Sequence, residues 1–186
     1  LFNPPGSGAY AIAGGTLVLA NDATITANAS ATIGSRLAGA GGGPVKLGGG
    51  TLTLTGTNTY AGPLRIQAGT LVFSTITNVG SGGSALGAPV TPSEGVIDLH
   101  GGAALQFTGI ASHQSDRQIR LAGTGTVWTL ANLGSINNAG VVRGNGYVAA
   151  PERLDDVDAN RPGGGVEAVA IEGTGGAHAV LDAFED

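Results

Sequence analysis

Cysteine and methionine are absent from the 186 residues, and tryptophan occurs once. The missing cysteine removes disulfides, thiol nucleophiles and cysteine-bound zinc together. Charge is scarce as well: 11% of residues are Asp, Glu, Lys or Arg, against roughly a quarter in an ordinary soluble domain. The 8 basic residues are scattered singly, and the net charge is −5. A surface that grips a nucleic-acid backbone or an anionic membrane needs clustered Lys and Arg, so neither is an expected partner. No apolar run approaches the roughly 20 residues that cross a bilayer as a helix, and no membrane span is expected in this segment. Also missing, before about residue 150, is any amphipathic helical stretch of useful length. That removes the crossover helices on which a βαβ fold depends.

Glycine is what the chain has in excess. It supplies 35 residues, and 41% of the chain is hydrophobic. Disorder usually accompanies low hydrophobicity and high net charge, so the glycines read as turns between short β-forming runs. One motif recurs: Gly15-Thr16-Leu17-Val18-Leu19, Gly50-Thr51-Leu52-Thr53-Leu54, Gly69-Thr70-Leu71-Val72-Phe73 and, more loosely, Gly125-Thr126-Val127-Trp128-Thr129. Each of the first three copies sets apolar residues at i and i+2, which a strand turns to one face. Further pairs of this kind are Val45/Leu47, Leu64/Ile66, Ile97/Leu99, Leu105/Phe107 and Ile119/Leu121.

Very short strands, each closed by a turn, favour a parallel β-helix over a sandwich or jelly roll, whose strands run to roughly five or six residues. Gly50 to Gly69 is 19 positions (69 − 50), close to one coil of such a solenoid. The expected fold is all-β, a parallel β-helix with short strands and Gly/Asn-rich turns. Leu52, Leu54, Leu64, Ile66, Leu71 and Phe73 are its expected shared interior.

At residues 48–73 the pattern becomes specific. The run Gly48-Gly49-Gly50-Thr51-Leu52-Thr53-Leu54-Thr55-Gly56-Thr57-Asn58-Thr59-Tyr60-Ala61-Gly62, followed by Leu64-Arg65-Ile66-Gln67-Ala68-Gly69-Thr70-Leu71, closely resembles the autotransporter-associated β-strand repeat, also called the passenger-associated transport repeat. Residues 14–33 and 94–121 look like weaker copies. The resemblance implies a right-handed β-helix and a place outside the bacterial cell. Within the motif, Asn58 suits a turn, which its short side chain can cap. Tyr60, with an apolar ring and a hydroxyl that needs a partner, suits a half-wet corner.

The expected organisation is a β-helix over 1–148 and an irregular tail over 149–186. Residues 149–165 are polar and rich in Pro and Gly, as a long loop would be. Residues 166–171 read as a strand, and 177–186 as a helical turn or a last strand. The two ends, 1–10 and the tail, are candidate caps or assembly arms, because the ends of a solenoid expose unpaired backbone.

Enzymes that act on polysaccharides also use β-helices, so candidate chemistry needs weighing. Asp98/His100 and His113/Asp116/Arg117 are the acid, base and cation groupings near one another in sequence. No second acidic group recurs one coil away to complete a site, so both read as solvated turns. Asp156, Asp158 and Asn160 alternate oxygen ligands as a calcium loop does. The glycine that an EF-hand requires at its sixth position is replaced by Arg161, although Glu167 stands at the twelfth, and a solvated acidic loop is the expected reading. Trp128 with Tyr10, Tyr60 and Tyr147 could form a sugar-stacking platform only if they lined up. His178 has no evident partner. No catalytic residue, cofactor or metal is expected.

The function expected from this is an extracellular structural or adhesive module of the autotransporter-passenger type, non-catalytic, on the bacterial outer cell surface. Its partner is either itself, as an end-to-end homo-oligomer, or a ligand on a host or cell surface. The alternatives are a self-assembling subunit of an extracellular fibre and a polysaccharide-acting β-helix enzyme.

Overall fold

The computed structural model of the protein describes Phe2, residues 9–122 and, beyond them, the backbone of six strands. The first coil holds β1 (Tyr10–Ile12), β2 (Thr16–Val18) and β3 (Thr24–Thr26), and the second β4 (Ala31–Ile33), β5 (Arg36–Ala38) and β6 (Val45–Leu47). Next come β7 (Thr51–Leu54) and β8 (Leu64–Ile66), then β9 (Thr70–Phe73) and β10 (Ile97–His100). They are followed by β11 (Ala104–Phe107), β12 (His113–Ser115) and β13 (Ile119–Ala122), and by β14 (Val127–Leu130), β15 (Ile136–Asn138) and β16 (Val142–Gly144). The last are β17 (Tyr147–Ala149), β18 (Ala170–Glu172) and β19 (His178–Val180). No helix occurs among the described residues.

Among β1 to β17 no two strands neighbouring in sequence pair; each lies on its counterpart one coil away, and β18 and β19 then pair antiparallel. A nine-stranded sheet runs β1-β4-β7-β9-β11-β14-β17-β18-β19, and a six-stranded sheet runs β16-β13-β10-β8-β6-β3. A third face carries the two-stranded sheets β2-β5 and β12-β15. The ladders between coils are parallel, so the molecule is a β-solenoid, as the strand lengths and turns imply.

Register explains the core. Ala31, Leu52, Leu71 and Leu105 form one column, and Ile33, Leu54, Phe73 and Phe107 the next but one. All eight are buried, at 3% exposure or less. On the second sheet Leu64, Ile97 and Ile119 align, as do Ile66, Leu99 and Leu121. The six residues expected to share the interior all do so. Alternate residues such as Thr32, Thr53 and Val72 stand between these columns and face outward, partly exposed. Gly69 shows why glycine precedes the motif: its φ is +67°, and an added Cβ would lie 2.5 Å from the Gly50 carbonyl one coil below.

Three expectations need correction. The motif copy at Gly15–Leu19 does not join the column of its likenesses; β2 pairs with β5 on the third face, because the same short pattern suits a strand on any face. In the looser copy it is Trp128, not Val127, that stands in register with Leu105 and Leu71. The pair Val45/Leu47 does not point inward together. Lys46 lies between Ile25 and Ile66 in the inward column, and Leu47 is only half-buried.

Candidate functional site

Lys46 is the unexpected interior residue, 1% exposed. Its Nζ donates to the carbonyls of Leu47 (3.2 Å), Gly48 (2.6 Å) and Ala68 (2.8 Å). An ammonium has three protons, and each finds an oxygen. The glycines that follow supply a corner with no side chain over its carbonyls, and Ala68 belongs to the coil above, so the side chain ties two coils together. Burial lowers the Lys46 pKa to about 8. The role is structural, and the polar residue in an apolar run gave no hint of it.

The Thr57-Asn58-Thr59-Tyr60 part of the motif sits where the third face lacks a regular strand. Asn58 is fully buried. Its Oδ1 accepts from Leu37 N on one side (2.8 Å), and its Nδ2 donates to Ala85 O on the other (2.7 Å). One side chain thus continues the ladder across a gap, a firmer role than capping a turn. Tyr60 is 1% exposed, not at a half-wet corner as expected. Its hydroxyl has no hydrogen-bond partner, and burial raises its pKa, opposed by the nearby Arg117 charge.

Above this lies the longest coil. Leu71 to Leu105 spans 34 positions (105 − 71), against 19 from Leu52 to Leu71 (71 − 52). The extra chain makes an excursion between β9 and β10, and Asp116 and Arg117 anchor it. Arg117 is 2% exposed. Its Nε donates to Thr77 O (3.1 Å) and its terminal nitrogens to Leu86 O and Gly87 O. Burial lowers its pKa, opposed by Tyr60 and Asp116. Asp116 accepts from Val79 N at 2.7 Å. His113 packs edge-on against Phe107, centroids 5.8 Å apart. This grouping, read from sequence as solvated turns, is in part a buried clamp: Arg117 is the correction, since carbonyls of the excursion replace its water. At the tip, Glu94 accepts from Val90 N and Thr91 N, which lower its pKa.

The other grouping lies on the outer face of the six-stranded sheet. Arg65, Asp98, Arg120 and Arg143 are register neighbours. Arg120 pairs with Asp98 at 2.9 Å, and Arg65 with Asp22 at 3.0 Å. Asp98 thus balances a cation on the adjacent strand, and His100 follows it at the strand end. The aromatic candidates do not form a continuous row, since Ala31, Leu52, Leu71 and Leu105 separate the two that share a column. Tyr10 heads the column of Ala31 and Leu52, Trp128 continues that column by register, Tyr147 stands in register with Val127, and Tyr60 is buried. Asp156, Asp158 and Asn160 lie outside the described residues.

A parallel β-solenoid is the class these observations define, and among the described residues Lys46, Asn58 and Arg117 are buried polar groups bonded to its own backbone. Residues 45–73 match the family model described as the passenger-associated-transport-repeat. The match starts at β6 and ends at β9, so it takes in the Lys46 corner, the Asn58 bridge and Tyr60. No curated protein and no solved structure matches the chain.

Proposed function

We propose that this chain is a rigid, non-catalytic stretch of an extracellular passenger, carried on the bacterial outer cell surface, which spaces or presents contact surfaces. The repeat at 45–73 suggests a passenger-associated role for the chain. The observation that carries the finer reading is the fate of the two groupings with catalytic residue types. Arg117 and Asp116 hold the excursion, and Asp98 holds Arg120. Groups tied up in this way do not converge on a substrate. A solenoid in which every coil rests on the next is suited to a stalk, and the braced excursion is suited to contact with a ligand on another cell.

Two measurements test the reading. Incubation with a panel of polysaccharides should release no product; turnover that Asp98→Asn abolishes while the fold is retained would overturn the non-catalytic claim. Protease treatment of intact cells expressing the full gene should remove the solenoid. Cleavage only after cell lysis would place the protein inside and end the passenger reading.

A further inference from the structure

We propose that the outer column of the six-stranded sheet, Arg65, Asp98, Arg120 and Arg143, is a binding strip for a linear acidic polysaccharide lying along the solenoid axis. Three of the chain's 8 basic residues stand in this column. They are far apart in sequence, and register alone collects them. β8, β10 and β13 each have a strand of the same sheet on both sides, so the exposure of this face does not come from an end of the solenoid. The side chain of Arg120 is 51% exposed and that of Arg65 36%.

Two features point to an anion. The first is a like-charge pair. Like charges directly opposite one another on adjacent strands are destabilising, yet Arg120 and Arg143 are register partners. Asp98, the acid of the column, stands on the other side of Arg120, between it and Arg65. Asp22 meets Arg65 from the first coil, so within the column the excess of positive charge lies at Arg120 and Arg143. A bound anion there offsets the repulsion. The second feature is the donors left over. Arg120 gives its Nε to Asp98, and Arg65 gives one terminal nitrogen to Asp22. Each bond holds its guanidinium in place, and the other nitrogens of both groups have no partner among the described residues. A planar fork of this kind suits a carboxylate or a sulfate.

An acidic sugar polymer fits this face better than other polyanions do. Among its described residues there is no Phe, Tyr or Trp on which a nucleic-acid base could stack. Three guanidinium groups fall short of the roughly four to eight basic residues that hold an anionic membrane. Gln67 and His100 stand two positions beyond Arg65 and Asp98, hence on the same face, and bring groups that hydrogen-bond to hydroxyls. Column positions repeat every ~4.8 Å along the axis, so one extended polymer meets several of them at once, and weak contacts add. The choice of a polysaccharide rests on the extracellular location proposed above; the strip itself rests on register and charge.

Binding of the purified full chain to polygalacturonate and to dextran sulfate at low salt tests this, with dextran as the neutral control and single-stranded DNA as a polyanion without acidic sugars. The expected result is saturable binding to at least one acidic polysaccharide, lost as salt is raised, with none to dextran and weaker binding to DNA. Arg120→Gln and Arg143→Gln should each weaken it about ten-fold, the loss of a charge-assisted hydrogen bond. Arg143→Gln should do so with an unchanged or higher melting temperature, because it also removes the like-charge pair. Arg36→Gln, which changes an exposed cation on the third face, should have no effect. Binding to neither acidic polysaccharide overturns the proposal, and so does binding that Arg120→Gln and Arg143→Gln leave intact. DNA bound as tightly as the sugars would reduce the strip to general polyanion attraction and overturn it too. Binding that appears only after Asp155, Asp156 and Asp158 are changed to Asn would assign the strip to the chain's own acidic run, with the same consequence. None of these failures touches the surface location, which protease treatment of intact cells decides separately.

Discussion

Lys46 and Tyr60 are both buried, and they respond to rising pH in opposite directions. The Lys46 pKa is about 8 in the folded chain against 10.5 for a free side chain. Between those values the unfolded chain binds more protons, so stability rises with pH through that window. Tyr60 is raised above the ordinary 10.0. Above pH 10 the unfolded tyrosine gives up a proton that the folded one keeps, so stability falls. Denaturant midpoints across the alkaline range should therefore climb above pH 8 and turn down above about 10. The climb should be on the order of 2 kcal/mol, since one pKa unit is about 1.4 kcal/mol and the window below the tyrosine is about two units. Lys46→Met should abolish the climb, and Tyr60→Phe the fall. A climb that survives Lys46→Met would assign it to another group. At neutral pH Tyr60→Phe should cost little or stabilise, because it deletes a buried hydroxyl that has no partner.

The coil between β9 and β10 depends on two adjacent residues. Removing the Arg117 guanidinium leaves the carbonyls of Thr77, Leu86 and Gly87 without that donor. Each such loss costs about 1–3 kcal/mol, so Arg117→Met should destabilise by several kcal/mol and expose residues 77–95 to limited proteolysis. Asp116→Asn should weaken a single capping bond and cost about 1 kcal/mol. Equal effects would mean that the excursion does not rest on Arg117. A second pair tests register on β7. Leu52→Asp buries an unpaired charge and should abolish folding, whereas Thr53→Asp, one residue on and facing outward, should shift the melting temperature only slightly. These contrasts also mark how far the sequence could be read. Alternation located the inward columns at pairs such as Leu52/Leu54 and Leu105/Phe107. It failed at Lys46, because a period-two reading sends a charge outward, and only the facing carbonyls reverse that. The Arg117 clamp was invisible for a different reason: its acceptors lie 30 to 40 positions away, and nothing local announces a contact across a long excursion.

Along the whole molecule, each coil is stabilised by its neighbours more than by its own residues, as in repeat proteins generally. A coil with a neighbour on one side only should open first. Burial falls off in that order: the columns through β7, β9 and β11 are buried to 1% exposure or less, while Leu17 at the start is 38% exposed. Local opening should therefore begin at the first coil of the isolated chain, and hydrogen exchange can follow it residue by residue. In dilute solution the β4-facing amides of β1, Tyr10 and Ile12, should exchange well before those of β7. Uniform protection from β1 to β11 would show that the solenoid opens only as a single unit, and that its first described coil is no weaker than its centre.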